Sequence, residues 1–262
     1  MAIKKVFHNL NRYKFLLKEL IKRDFKVKYQ RSSLGILWSI IYPLLMMSVM
    51  AIVFTNIFRF EMPGINFLVY LLSGLTLFNF FSEATNQAMP SIVGNMSLIN
   101  KVYIPKYIFP LSKCLFSGIN LALTLIPLYG VIILTGVGIN IYHLLLPYTF
   151  ICLLIFSIGI SFFLACVSVF LRDVFYIWGI IILAWTYLTP LFYPITILPN
   201  IMQRIMTFNP MYQFINFGRE IILFGRIPTL SSWLYCGGFA LGMLLFGIWI
   251  FRKNQDKFIH YI

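Results

Sequence analysis

The chain has 262 residues, of which 60% are hydrophobic and only 11% charged, and its mean hydropathy is +0.88. A soluble domain of this length is about half apolar and about a quarter charged, so no single aqueous core can hide this composition and part of the solvent must be lipid. The net charge of +14 would suggest nucleic acid in a soluble protein; here the basic residues crowd a terminal arm beside apolar runs, so the expected partner is an anionic membrane face and no nucleic acid.

The first 33 residues are densely charged. Val6, Leu10, Tyr13, Leu17, Ile21 and Phe25 recur at three- and four-residue steps, and Lys14, Lys18, Lys22 and Lys26 form a ridge. The pattern predicts an amphipathic helix lying flat on an anionic leaflet, either as a topology anchor or also as a contact for a cytoplasmic partner. The arm lacks a short apolar core, so no cleavable leader is expected. Six apolar runs follow, at residues 34–58, 65–93, 107–135, 141–171, 175–193 and 233–251. Each is near or above the ~20 residues that cross ~30 Å of hydrocarbon as a helix. Barrel-type alternation is absent, so the expected fold is an all-α integral membrane protein with six transmembrane helices.

Residues 194–229 resist a simple assignment. They are moderately apolar, broken by Pro199, Pro210 and Pro228, and carry Arg204, Arg219, Glu220 and Arg226. A seventh span there would put the basic C-terminus on the side poor in Lys and Arg. The expected solution is two short re-entrant helices at the outer leaflet; an external loop with a surface helix is the alternative. The domain organisation is then an interfacial helix at 1–33, a permease domain at 34–251 and a tail at 252–262. Seventeen of the 21 Lys and Arg residues fall on one side of these spans, which places both termini in the cytoplasm.

The search for chemistry is largely negative. No G-x-x-x-x-G-K-[ST] loop is present, so ATP is not bound in the P-loop manner. His8, His143 and His260 are isolated. Cys114, Cys152, Cys166 and Cys236 are scattered singly, which suggests packing residues and no zinc or redox site. No metal set and no catalytic constellation is expected, and the chain is read as not an enzyme. Glu83 lies inside the second apolar run, with Asn79, Ser82, Asn86 and Gln87 close to its helical face. Two roles stay open for that face: interhelical hydrogen bonding, or lining a conduit and binding a proton. Trp185, Tyr187, Phe192 and Tyr193 cluster toward the outer half of the fifth run. They fit an interfacial belt, and aromatic faces also stack on sugar rings.

An ordered set of motifs then stands out. Arg23-Asp24-Phe25-Lys26-Val27-Lys28-Tyr29-Gln30-Arg31-Ser32-Ser33-Leu34-Gly35-Ile36-Leu37-Trp38 precedes Pro43. Phe80-Phe81, Asn100-Lys101-Val102-Tyr103-Ile104-Pro105-Lys106 and Arg172-Asp173 follow. Then come Thr189-Pro190-Leu191-Phe192-Tyr193-Pro194, Asn209-Pro210-Met211, Arg219 and Phe251-Arg252-Lys253 with Phe258. Taken together they resemble the ABC-type permeases that export polysaccharides and polyol phosphates, such as O-antigen, capsule, rhamnose-polymer and teichoic-acid exporters. The resemblance covers nearly the whole chain.

That resemblance implies a bacterial inner (plasma) membrane and an assembly of two permease copies with two ATPase subunits. ATP and Mg would be held in the partner subunit, with no cofactor in this chain. Ser97, Leu98, Ile99, Asn100, Lys101, Val102, Tyr103, Ile104, Pro105 and Lys106 look like a coupling helix that docks on the ATPase, with Arg172 and Asp173 as a second contact. Residues 194–224 look like the family's outer gate helices. The resemblance makes Trp38, Tyr42, Trp185, Tyr187, Phe192 and Tyr193 candidate conduit-wall residues, and Glu83, Asn209 and Arg219 join them as conduit or gate candidates. Lys28 and Arg31 are candidates for the head group of a lipid-linked polymer. An autonomous secondary transporter, or an ABC permease for small hydrophobic drugs, is the competing reading.

Overall fold

The structure is a computed structural model that describes residues 13–30, 32, 34–53, 65–99, 101 and 104–258. It is helical, with no β-strand among the described residues. Ten α-helices are described: α1 Lys14–Lys28, α2 Trp38–Val53, α3 Phe67–Ala88, α4 Met96–Ile99 and α5 Ile108–Leu134, then α6 Leu146–Phe170, α7 Val174–Leu188, α8 Asn200–Met206, α9 Pro210–Ile222 and α10 Leu230–Asn254. Five segments are long and apolar enough to cross a membrane, built on α2, α3, α5, α6 and α10. The chain is therefore an all-α, multi-pass membrane protein.

The fifth apolar run forms a shorter helix than its sequence pattern suggests. It was expected to reach residue 193, yet α7 ends at Leu188. Thr189 turns extended, at φ −85° and ψ 135°. The reason is local: a residue before proline is disfavoured in the helical region, and Pro190 has no N–H with which to continue the ladder. Fifteen residues rise about 22 Å, short of a full hydrocarbon thickness. Phe192 and Tyr193 consequently stand beyond the helix, in the turn that follows it.

In α1 the lysine ridge Lys14, Lys18, Lys22 and Lys26 is exposed while Leu20 and Asp24 are buried. The chain turns from α1 into α2 through Gly35, whose φ of +51° is the left-handed region that other residues rarely adopt. A single 3-10 turn, Gly35–Leu37, then leads into α2.

Helix α3 is the central element. It packs on α5, α6 and α9, and buries Phe78, Phe81 and Ala84 almost completely. The most extensive helix pair is α6 with α10. Its close approach is set by two glycines, because a Cβ at Gly247 would fall onto the carbonyl oxygen of Gly159. Small residues at such crossings let backbones meet where lipid offers no hydrophobic drive between helices. A second apolar cluster joins α1, α4 and the adjacent ends of α5, α6 and α10. It contains Leu20, Ile92, Ile99, Phe109, Phe162 and Phe258.

The segment between the fifth and sixth runs folds as two short helices, α8 and α9, joined by a tight turn. Helix α9 is not a surface helix: ten of its thirteen residues are buried, and it packs on α3, α6 and α10.

Candidate functional site

A cavity of about 840 Å³ opens between the C-terminal end of α1 and helices α2, α3 and α5. The helix directions give it a gradient. Lys28, Asn79, Glu83 and Asn120 line one end, and Met47, Met50, Leu72 and Phe192 the other. Glu83 Oε1 accepts three hydrogen bonds: from Lys28 Nζ at 3.1 Å, Gln87 Nε2 at 2.9 Å and Asn120 Nδ2 at 3.0 Å. Lys28 also lies 5.4 Å from the centre of the Phe116 ring. The end of α1 is tied to α2 by a hydroxyl–hydroxyl hydrogen bond between Tyr29 and Ser39.

Of the conduit candidates read from the sequence, Trp38, Tyr42, Glu83 and Phe192 line this cavity together with Lys28. Trp38 and Tyr42 are exposed. Trp185, Tyr187, Tyr193, Asn209 and Arg219 do not line it. Arg31 lies outside the described residues. Both roles left open for Glu83 find support in its position, since it bridges α1, α3 and α5 and also faces the cavity.

Asn209 and Arg219, the gate candidates, lie at the start of α9 and within it. Asn209 caps α9 and accepts from Met211 N at 3.1 Å. Its amide also joins α9 to the end of α7, accepting from Trp185 Nε1 at 2.9 Å and donating to Thr189 Oγ1 at 3.1 Å. Arg219 is 3% exposed, and the neighbouring Glu220 pairs with Arg226 instead. Its guanidinium donates to the carbonyl oxygens of Tyr70 (3.0 and 3.2 Å), Pro190 (2.8 Å) and Leu191 (3.4 Å). It also lies 3.4 Å from the centre of the Tyr70 ring. The Tyr70 hydroxyl in turn donates to the Pro190 and Tyr193 carbonyls. A buried cation must be satisfied by acceptors, and here those acceptors are the Pro190 and Leu191 carbonyls, which lie past the end of α7, and the Tyr70 carbonyl in α3. Arg219 therefore rivets the broken end of α7 to the start of α3 and to α9.

The candidate coupling segment lies at the second apolar cluster. Ser97 and Lys101 are exposed, whereas Ile99 is buried and Leu98 and Ile104 are half-buried in the cluster. Asn100, Val102 and Tyr103 lie outside the described residues. Lys106 donates to the Gln255 carbonyl at 2.5 Å and lies over the Phe258 ring. Burial lowers its pKa from the usual lysine range, with Asp256 acting the other way. Pro105 is half-buried, and Arg172 and Asp173 are exposed between α6 and α7. Among the described residues no group of three or more His, Cys, Asp or Glu could hold a metal ion.

Two polar contacts escaped the sequence reading. Buried Asp24 receives Lys113 at 2.9 Å and Arg23 at 3.3 Å, anchoring α1 on α5. Asn120 joins the Glu83 cluster from α5. Lone polar residues in a long apolar run carry the signal that points to both, since burying them is costly without partners.

The sequence model of the ABC-2 type transporter family matches residues 16–223, from α1 to the end of α9. The chain belongs to this family. Similar proteins include the O-antigen export system permease protein RfbA of Klebsiella pneumoniae, which is 28% identical over 256 residues and 97% of both chains. The O-antigen export system permease protein RfbA of Myxococcus xanthus is 26% identical over 97% of this chain and 98% of its own length. The polysialic acid transport protein KpsM of Escherichia coli is 24% identical over 94% of this chain and 96% of its own. Similarity to these proteins runs nearly end to end, over 94–97% of this chain.

Proposed function

We propose that this chain is the membrane-spanning subunit of an ABC exporter that moves a lipid-linked polysaccharide of the O-antigen or capsule type from the cytoplasmic to the outer side of a bacterial inner membrane. The observation that carries the proposal is the end-to-end similarity to permeases named for O-antigen export. The chain works as two copies beside two nucleotide-binding ATPase subunits, which hold the ATP and Mg. The excess of Lys and Arg in the N-terminal arm, the loop after α4 and the C-terminal tail supports cytoplasmic termini.

In this reading the ATPase pushes on the exposed part of the coupling segment, at Ser97 and Lys101, and on Arg172 and Asp173. The second apolar cluster passes that push into α1, α5, α6 and α10, which all contribute to it. The polymer head approaches Lys28, and the chain leaves past α8 and α9. Pairing of Glu83 with Lys28 weighs against an autonomous proton-driven carrier, because the one acid in that apolar run is already neutralised.

The test is purification of the tagged chain from native membranes under gentle detergent, with ATPase assay of the eluate. A stoichiometric nucleotide-binding subunit with ATPase activity is expected, and Lys101→Glu with Ser97→Glu should lower polymer export per ATP hydrolysed. A chain that purifies alone and without ATPase activity would overturn the proposal.

A further inference from the structure

The end of α10 and the candidate coupling segment meet at one side chain. Helix α10 stops at Asn254, and a single 3-10 turn, Gln255–Lys257, brings the next residue back toward the protein. Phe258 is 0% exposed, with its ring centre 5.4 Å from that of Phe251 and 5.9 Å from that of Phe170. The Gln255 carbonyl accepts the Phe258 N–H and also the Lys106 ammonium, the latter at 2.5 Å. Lys106 Nζ lies 5.5 Å from the centre of the Phe258 ring as well. A cation is favourable at a helix C-terminus, where the last carbonyls lack intrahelical donors and the dipole is negative. Helix α10 carries Arg252 and Lys253 in its own last turn, yet both are exposed and Lys253 lies over the Trp249 ring. The capping cation comes instead from 149 residues away, in the connection between α4 and α5.

We propose that Lys106 and the tail turn form a clasp that makes α10 a second receiver of the ATPase's movement, with Lys106 and Phe258 as positioning residues for energy coupling. The inference rests on the export reading and deepens it, by naming the link between the coupling segment and the last span. Covalent continuity carries a push at Ser97 and Lys101 into α5, which begins at Ile108. The clasp adds a separate route, because it fixes the same segment to the end of α10. Helix α10 forms with α6 the most extensive helix pair, closed at Gly159 and Gly247. With the clasp shut, α5, α6 and α10 move as one body. With it open, the segment swings about the start of α5 and the α6–α10 pair stays behind. The surrounding apolar cluster does not supply this constraint by itself. Ile104 and Tyr107 are only partly buried in it, and apolar contact is non-directional, so packed surfaces slide. An ammonium held between a carbonyl and a ring face fixes register as well as contact.

The experiment uses the full chain with its ATPase subunits in proteoliposomes, supplied with labelled lipid-linked polymer extracted from the native membranes. The readout is polymer translocated per ATP hydrolysed, beside the thermal midpoint of the complex. Lys106→Met keeps the length of the side chain and removes its charge. It should lower the ratio about tenfold, the factor that one charge-assisted hydrogen bond supplies. Lys106→Arg restores a cation and should recover at least half of the wild-type ratio. Phe258→Leu removes the ring face and should lower the ratio about threefold, which keeps the test decisive if Lys106→Met fails to fold. The double variant should be little worse than Lys106→Met alone, since both changes open the same link. A merely structural role would reduce the folded fraction and scale export and hydrolysis together. An unchanged ratio in the folded single variants, or no recovery in Lys106→Arg, would therefore overturn the clasp. If the wild-type complex still translocates polymer in those cases, the export reading stands without it. A wild-type chain with no ATPase partner and no translocation removes both.

Discussion

Helices α2 and α3 face the same cavity but are held in opposite ways. The apolar stretch of α3 is 72% buried within the chain, that of α2 only 11%. Their hydropathies do not explain the contrast, since the α2 stretch is the more apolar at 2.2 against 1.4. In lipid, apolar surface gains nothing by leaving its neighbours for another helix, so packing follows small residues and polar contacts. Helix α3 supplies them, with Gly74 under Arg219, Thr85 accepting from Trp178 and Glu83 accepting from Asn120. Helix α2 offers large aliphatic and methionine side chains, an internal Pro43 and a Ser39–Tyr29 link. The molecule is thus a tight scaffold of α3, α5, α6, α9 and α10, with α2 and α7 as lightly held walls whose outer faces await lipid, a second copy or cargo.

The largest expected loss comes from the scaffold's closest crossing. Gly247→Val would push α6 and α10 apart and should cost about 3 kcal/mol or more, the upper range for overpacking a core. The check is the thermal midpoint and monodisperse yield of the purified chain. Gly179→Ala in α7, which has nothing within 4 Å of its added carbon, should leave both unchanged. Equal behaviour of the two variants would dissolve the distinction between scaffold and wall.

Arg219→Lys should come next. A lysine cannot reproduce a planar fork over three carbonyls and the Tyr70 ring, and unsatisfied buried carbonyls should cost about 2 kcal/mol. Gly74→Ala should be a weaker version of the same injury, because its Cβ would lie 2.6 Å from Arg219 Nη2. Both are read by thermal unfolding in detergent. A smaller effect is expected for Asp24→Asn. Its partner Lys113 is 22% exposed, so the lost pairing should be worth about 1 kcal/mol. Its signature is faster proteolysis between α1 and α2 with the remaining helices protected; uniform protection would mean that α1 is held by its apolar face alone.

Much of this architecture was legible before any coordinates, because lipid makes helical spans obligatory and hydropathy marks them. The end of α7 was misplaced by reading hydropathy past Thr189, where the following proline outweighs apolar character. Helix α9 was legible as one of two short re-entrant helices, but its burial against α3, α6 and α10 was not, because sequence spacing does not bring the Tyr70, Pro190 and Leu191 carbonyls beside the Arg219 guanidinium. For the candidate site, the motif around Lys28 and the lone Glu83 were visible separately. Their pairing across 55 residues was not, because sequence spacing carries no information about which face of α1 rests on α3. Asn120 stayed hidden for the same reason.

The smallest expected effect falls on the outward face of α2, where Val49 and Ile52 are 53% and 62% exposed. Val49→Cys and Ile52→Cys should each change stability by no more than about 0.5 kcal/mol, as substitutions away from packed features do. They are nevertheless informative, because all four native cysteines are buried and leave little background. If a second copy covers this wall, the introduced thiols should form cross-linked dimers in native membranes and resist a bulky maleimide. If lipid covers it, the thiols should stay monomeric and react only with small membrane-permeant reagents. A loss of folded protein from either substitution would contradict both outcomes, since it would mean that α2 is bound into the scaffold as firmly as α3.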